Sequence, residues 1–276
     1  MMNFSSAVQK HLSSYDVVEE ESPLVTNPDI IFSVFGTGRR HDIPDEKFLS
    51  WVEEADYENA SASWWSQFSS MYLRKMLEHY ASIELVGIKS GGVYLDLAAS
   101  ASPFYKVIRR THDAKMCYAQ DLNRAPGVRE DIIGSNAADI PLPDACLDGI
   151  VSHNSWEHFE GSSAFDSIIE SVRLLKPGGK LCIIPLNFRE RTEIWTSPSC
   201  WATKYVNAKD LPDFDPAAAI VIRDEIIQRQ VMWWRASDLT DRLSDIPGVK
   251  FEVIQVVCMG LSNFALVGTK VVPTEQ

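Results

Sequence analysis

At 276 residues, 45% of them hydrophobic and 23% charged, the chain has the composition of a soluble globular protein with one large domain or a domain with appendages. The formal charge of −12 disfavours tight binding to a phosphate backbone, which depends on Lys and Arg displacing counterions, and the densest basic pair is Arg39-Arg40. Five widely spaced cysteines (Cys117, Cys146, Cys182, Cys200 and Cys258), with no C-x-x-C and no H-x-x-x-H, predict reduced thiols in a cytoplasmic protein and argue against a disulfide framework or a zinc site.

The N-terminus, MMNFSSAVQKHLSSYDVVEEE, lacks the basic start and apolar core of a signal peptide, and no apolar run approaches the ~18 residues of a membrane span. Residues 1–60 read as an irregular, acidic lead-in with turn signals at Ser22-Pro23, Asn27-Pro28 and Ile43-Pro44. The domain proper is expected over 61–276. Ser61 or Ser63 can cap a long amphipathic helix reaching Ile83, with Trp64, Phe68, Met71, Tyr72 and Met76 on one stripe.

From Gly91 strands and helices alternate: strand 92–97, helix 103–112, strands 115–120, 131–135 and 147–152, helix 162–175 and strand 179–185. Such alternation predicts a mostly parallel sheet covered on both faces. An insert over about 187–248, rich in tryptophan (Trp195, Trp201, Trp233, Trp234), is expected to cover a substrate; its 216–230 stretch reads as helical, and Ser237 can cap a helix to Leu243. Strands 249–258 and 263–271, separated by a Gly-Leu-Ser-Asn turn, form a closing hairpin.

The most informative segment is Val93–Phe104, VYLDLAASASPF. A buried strand delivers Asp96 to a loop of very small residues, Ala98 to Ser102; Ser102 can cap the next helix, and Pro103 suits its first position. A strand, a tight loop and a helix N-terminus let ligand and backbone approach closely and favour an anionic group. Asp121 lies 121 − 98 = 23 positions beyond Ala98, near the ~20 at which an acidic side chain meets a ribose hydroxyl in Rossmann-like sheets. These features predict a nucleotide-type cofactor. The G-x-G-x-x-G of dehydrogenases and the P-loop are both absent from the first loop, and Gly36-Thr37-Gly38 reads as an ordinary turn.

Two further pieces complete the pattern: SNAADIPLPDACLDGIVSHNSWEHF (135–159), an Ala-Asp turn coupled to a strand, and LLKPGGKLCIIPL (174–186), a helix end, a Pro-Gly-Gly turn and a buried strand. Together with the first loop and Asp121, they resemble the class I S-adenosylmethionine-dependent methyltransferases, and within them the methyltransferase-11-like group. The resemblance implies a Rossmann-like α/β fold, a mostly parallel seven-stranded sheet with a C-terminal antiparallel hairpin and helices on both faces. It implies S-adenosyl-L-methionine as cofactor and methyl transfer to an oxygen, nitrogen or carbon of a small metabolite or sugar. Where the family carries D-x-G-x-G-x-G, this chain has Ala98, Ser100 and Ser102 for the three glycines. A fold that has lost transfer, or that uses its pocket for another reaction, is the alternative this departure keeps open.

By the same resemblance the cofactor set is Asp96, Ala98, Ser100, Asp121, Leu122, Ala138, Asp139 and His153. Asp96 would sit under the methionine part, Asp121 on the ribose, and Ala138 and Asp139 beside the adenine. His153, after a strand end, is the first expectation for a general base, and His158, in the L-E-H-F-like Trp156–Phe159, is the second. Lys176-Pro177-Gly178-Gly179 is expected to be a structural turn.

Overall fold

The computed structural model describes residues 6–68, 71–201, 211–226 and 228–272, the Phe68 side chain excepted. Residues 6–60 are not irregular. They form α1 (Ser6–Leu12), β1 (Val17–Val18), α2 (Pro28–Phe35), β2 (Gly38–Asp42), α3 (Asp45–Ala55) and α4 (Tyr57–Ala60). Two of the apparent turn signals are helix starts. The Asn27 side chain accepts the Asp29 N–H with Pro28 at the first helical position, and Pro44 stands directly before α3. Gly36, at φ 65°, ends α2.

The long helix expected over 61–83 is instead two, α5 (Ala62–Phe68) and α6 (Tyr72–Val86). The Ser61 hydroxyl does accept the Trp64 N–H, at 3.4 Å. The break changes the stripe: Trp64 and Met76 are buried, whereas Met71 at the junction is 48% exposed.

The chain then lays down β3 (Val93–Asp96), α7 (Phe104–Thr111), β4 (Met116–Asp121), β5 (Gly127–Arg129), β6 (Ile132–Gly134), β7 (Leu147–His153), α8 (Ser163–Leu174) and β8 (Leu175–Leu186). The insert contributes β9 (Glu193–Thr196), β10 (Ala219–Ile222) and β11 (Val231–Trp233), followed by α9 (Ala236–Ser244), β12 (Val249–Cys258) and β13 (Leu261–Lys270). The main sheet runs β2-β12-β13-β8-β7-β3-β4-β6-β5. It is parallel except for β13, which opposes both β12 and β8, and β5, which opposes β6. Nine strands thus replace the seven expected, because β2 and β5 extend the two edges.

Met259 (φ 50°) and Gly260 (φ 73°) alone turn the final hairpin, since Cys258 pairs with Leu261. Two consecutive positive φ values match the twist of a tight hairpin, and they draw Leu261 and Ser262 of the expected four-residue turn into β13. Lys176–Gly179 is a bulge inside β8: Leu147 faces Leu175, but Gly149 already faces Lys180.

A second sheet, β1-β10-β9-β11, joins the N-terminal segment to the insert. The helix expected at 216–230 gives way to β10, whose Ala-Ile-Val-Ile run pairs in parallel with β9 and is buried; β-branched residues fit that surface better than a helix. Ser22 donates its N–H to Glu193, and Arg189, 4% exposed, sets its guanidinium against both the Trp195 and Trp233 rings, 4.5 and 4.8 Å from their centroids. Residues near the N-terminus therefore tie down the insert that follows β8.

Candidate functional site

The loop after β3 carries the geometry that glycine would supply. Ala98 has φ 54° and Ser100 φ 49°, both left-handed, while Ser102 does not. Each is held from β4: Ala98 N–H donates to the Gln120 side chain (3.0 Å), Ala99 N–H to the Gln120 carbonyl (2.8 Å) and Ser100 N–H to Asp121 Oδ2 (2.8 Å). Asp121 Oδ1 accepts the Asn123 N–H at 2.8 Å. Two backbone bonds leave further acceptor capacity on this carboxylate, which is 7% exposed. The Ser102 hydroxyl accepts the Phe104 N–H at 3.2 Å, so it caps α7 although Pro103 occupies the cap position itself.

A cavity of about 600 Å³ opens at the carboxyl ends of β3, β4, β6 and β7, where ligands of open α/β sheets bind. Of the residues anticipated from sequence, Asp96, Ala98, Ser100, Asp121, Leu122, His153 and His158 line it. Ala138 and Asp139 do not; Asn136 and Ala137 occupy that wall. The reason is local. The Asn136 side chain accepts the Ala138 N–H and its carbonyl accepts the Asp139 N–H, so the chain turns there and leaves Asp139 exposed.

Asp96 is 1% exposed, and burial raises its pKa while His153 opposes the shift. Its Oδ2 has no hydrogen-bond partner, and its Oδ1 lies 3.5 Å from His153 Nδ1. The Ser82 hydroxyl donates to the His79 carbonyl (2.7 Å), so it can only accept from His153 Nε2 (2.8 Å). His153 Nδ1 and the Asp96 carboxylate are then two facing acceptors unless one of them holds a proton. Both polar atoms of the His153 ring are turned into protein, and its side chain is 4% exposed.

His158 differs. Its Nδ1 lies 2.7 Å from the Gln230 carbonyl, which can only accept. Nδ1 therefore carries the proton, and in the neutral ring Nε2 keeps its lone pair, 3.8 Å from Glu157 Oε1. The side chain is 20% exposed.

Sequence reading missed the contribution of α6. Lys75, Glu78, His79 and Ser82 recur at i, i+3, i+4 and i+7 and are all buried, a polar stripe on the packed face of a helix. That spacing was the available signal. Lys75 and His79 line the cavity. Burial and then His153 hold His79 well below the usual histidine range, and its Nδ1 meets the Tyr57 hydroxyl at 2.6 Å. Burial raises Glu78 to about 7, against Lys75 and the Asn154 amide that bonds it. Trp64, from the apolar stripe, lines the cavity, as do Asp213 and Arg229 of the insert.

Among known proteins, residues 85–183 match the profile of the family described as methyltransferase domain. A protein of Mycolicibacterium smegmatis described as a probable S-adenosylmethionine-dependent methyltransferase is 31% identical over 106 residues, 37% of this chain; the chain spans about 40% of that relative's length. Among solved structures, a chain of the Haloferax volcanii complex containing the Trm112 methyltransferase activator has a TM-score of 0.49 at 12% identity, covering 78% of this chain and 97% of its own. The Burkholderia thailandensis 1,6-didemethyltoxoflavin-N1-methyltransferase, solved with its substrate and S-adenosylhomocysteine, has a TM-score of 0.45 at 12% identity over 93% of this chain and 95% of its own. With β6-β4-β3-β7-β8 in parallel and β13 reversed beside them, the stretch 85–183 lies in a Rossmann-like fold and is similar to the methyltransferase domain family.

Proposed function

We propose that the protein transfers a methyl group from S-adenosylmethionine to an oxygen, nitrogen or carbon of a small polar molecule. The observation that carries this reading is the loop after β3, which keeps left-handed backbone at Ala98 and Ser100 without glycine and is pinned there by Asp121. Holding strained residues in that shape costs about 1–3 kcal/mol each and persists where the surroundings impose it. The residues fit the cofactor: the cavity is large enough, Asp121 has acceptor capacity for ribose hydroxyls, and Asp96 offers a buried oxygen without a partner. Asn136 and Ala137, in place of Ala138 and Asp139, would flank the adenine.

When bound, S-adenosylmethionine would supply a sulfonium methyl group for in-line displacement. What the protein contributes is alignment, worth up to ~7–11 kcal/mol in favourable cases, and a proton acceptor where the methyl acceptor must lose one. His158 fits that role better than His153, because it lines the cavity and a carbonyl holds its Nδ1 proton, which leaves the lone pair on Nε2. His153 is better suited to holding Asp96. The wall formed by Lys75, Asp213 and Arg229 suits a polar acceptor.

Calorimetric titration with S-adenosylhomocysteine tests the reading. The wild-type protein should bind, and Asp121→Ala should bind ten- to a hundredfold more weakly, about 1.5–3 kcal/mol, with the fold intact. No binding by the wild type overturns the proposal; unchanged affinity in Asp121→Ala removes Asp121 from it.

A further inference from the structure

Each residue of 158–161 is hydrogen-bonded to the insert. His158 Nδ1 donates to the Gln230 carbonyl, and the Phe159 carbonyl accepts from the Gln230 side-chain amide. Glu160 receives Arg229 in a fork, Nε to Oε1 at 2.5 Å and Nη2 to Oε2 at 3.0 Å, and also the Asp213 N–H at 3.2 Å. Gly161 N–H donates to the Asp213 carbonyl at 2.7 Å. Gly161 itself, at φ 58°, sits where an added Cβ would strike the Asp213 carboxylate, so the close approach depends on glycine. Arg229 is 6% exposed, and its Nη1 also donates to the Trp201 carbonyl.

We infer that Glu160, Arg229 and Gln230 are positioning residues for His158, and that the insert holds the base in the tautomer that can accept a proton. This rests on the proposed role of His158. A neutral imidazole with nothing to hold it divides its proton between the two nitrogens, and a proton on Nε2 removes the base. Here the carbonyl that fixes the proton on Nδ1 belongs to a residue 72 positions away in sequence. Its place relative to His158 is set by the adjoining Arg229–Glu160 fork, a geometry that two parallel charge-assisted bonds define closely. Glu157, 3.8 Å from Nε2, is the charged group on the opposite side of the ring.

The test is ¹⁵N-histidine NMR of the full chain near pH 9, where imidazoles are neutral, with His158 assigned through His158→Gln. In the wild type His158 should show a single species protonated on Nδ1. Glu160→Gln, which keeps the side-chain shape but removes the charge, should shift Nε2 toward its protonated position as the second tautomer appears. Gln230→Met removes the amide that grips Phe159 and should shift it in the same direction; it serves as the readout should Glu160→Gln fail to fold. A wild-type His158 protonated on Nε2, or a folded variant that keeps the single Nδ1 tautomer, overturns the inference. S-adenosylhomocysteine affinity, measured on the same samples, should be unchanged within about twofold in both variants. Absence of binding in the wild type would defeat the cofactor reading while leaving the tautomer result standing.

Discussion

The two walls of the cavity are built in different ways. The wall assigned to the cofactor comes from one stretch, Asp96 to Ala137, in which consecutive strand ends deliver short loops side by side. Its polar contacts are largely backbone: the N–H groups of Ala98, Ala99, Ser100 and Asn123 are all fixed by β4 and Asp121. The opposite wall is assembled from Trp64, Lys75 and His79 before the sheet, His158 after β7, and Asp213 and Arg229 in the insert. It relies on side chains and on long-range pairs such as Arg229–Glu160. A wall made of backbone can be conserved in shape while its residues drift, as Ala98 and Ser100 illustrate. A wall made of side chains from distant segments can change its ligand by changing one segment.

That contrast can be broken on the backbone wall first, where the largest effect is expected. Ser100 is exposed, lines the cavity and is held at φ 49°. Ser100→Leu places a bulky chain in the cavity and should weaken S-adenosylhomocysteine binding more than about a hundredfold by calorimetry. The circular dichroism spectrum and the His158 tautomer should remain as in the wild type, because the carbonyl that holds His158 comes from the insert. Normal binding in this variant would show that the loop is not the site.

The second prediction acts on α6, the helix that carries Lys75 and His79 of the side-chain wall. Glu78 is 1% exposed, and burial raises its pKa from 4.5 to about 7. The folded state thus holds the Glu78 proton more tightly than the unfolded chain. Its contribution is complete below pH 4.5 and is lost as pH rises through about 7, a change of about 3 kcal/mol at 1.36 kcal/mol per pKa unit. Glu78→Gln carries no such charge. Relative to wild type it should therefore gain stability, by up to about 3 kcal/mol, between pH 5 and pH 8 in paired denaturation curves. A difference between the two proteins that does not vary with pH would mean that Glu78 ionises in the fold as readily as in water.

The same division separates what was legible in the sequence from what was not. Strand positions β3, β4, β6 and β7, the loop, Asp121 and Ser102 follow from local rules: buried apolar runs, turn residues and capping chemistry each act within a few positions. Errors arose where a local signal had two meanings. Asn27-Pro28 and Ile43-Pro44 were helix starts and not only turns. The Ala138-Asp139 pair sat two residues past the turn that faces the cavity. At 216–230 apolar content suggested helix, and pairing with β9 decided for strand. Which of His153 and His158 keeps an uncommitted ring nitrogen was beyond sequence altogether, since it depends on the Ser82 hydroxyl and the Gln230 carbonyl, 71 and 72 positions away. The polar stripe on α6 was readable and was passed over in favour of the apolar one.

The smallest expected effect returns to the backbone wall and asks whether its strain is real. A non-glycine residue in left-handed backbone costs roughly 1–2 kcal/mol, whereas glycine adopts it freely but loses more freedom on folding. At Ala98 (φ 54°) and Ser100 (φ 49°) the first effect should exceed the second. Neither side chain is needed for the contacts that hold the loop, which run through backbone N–H groups. Ala98→Gly and Ser100→Gly should therefore each stabilise the protein by about 0.5–1 kcal/mol, or a melting-temperature rise of about 1–2 °C for a chain of this size. Affinity for S-adenosylhomocysteine should stay within about tenfold, because glycine leaves every backbone donor in place. At Ser102, which caps α7 through its hydroxyl, the same change should run the other way and cost a few tenths of a kcal/mol. Destabilisation at 98 and 100 equal to that at 102 would mean that the loop is relaxed with the residues it has, and that its left-handed shape is not evidence of a ligand.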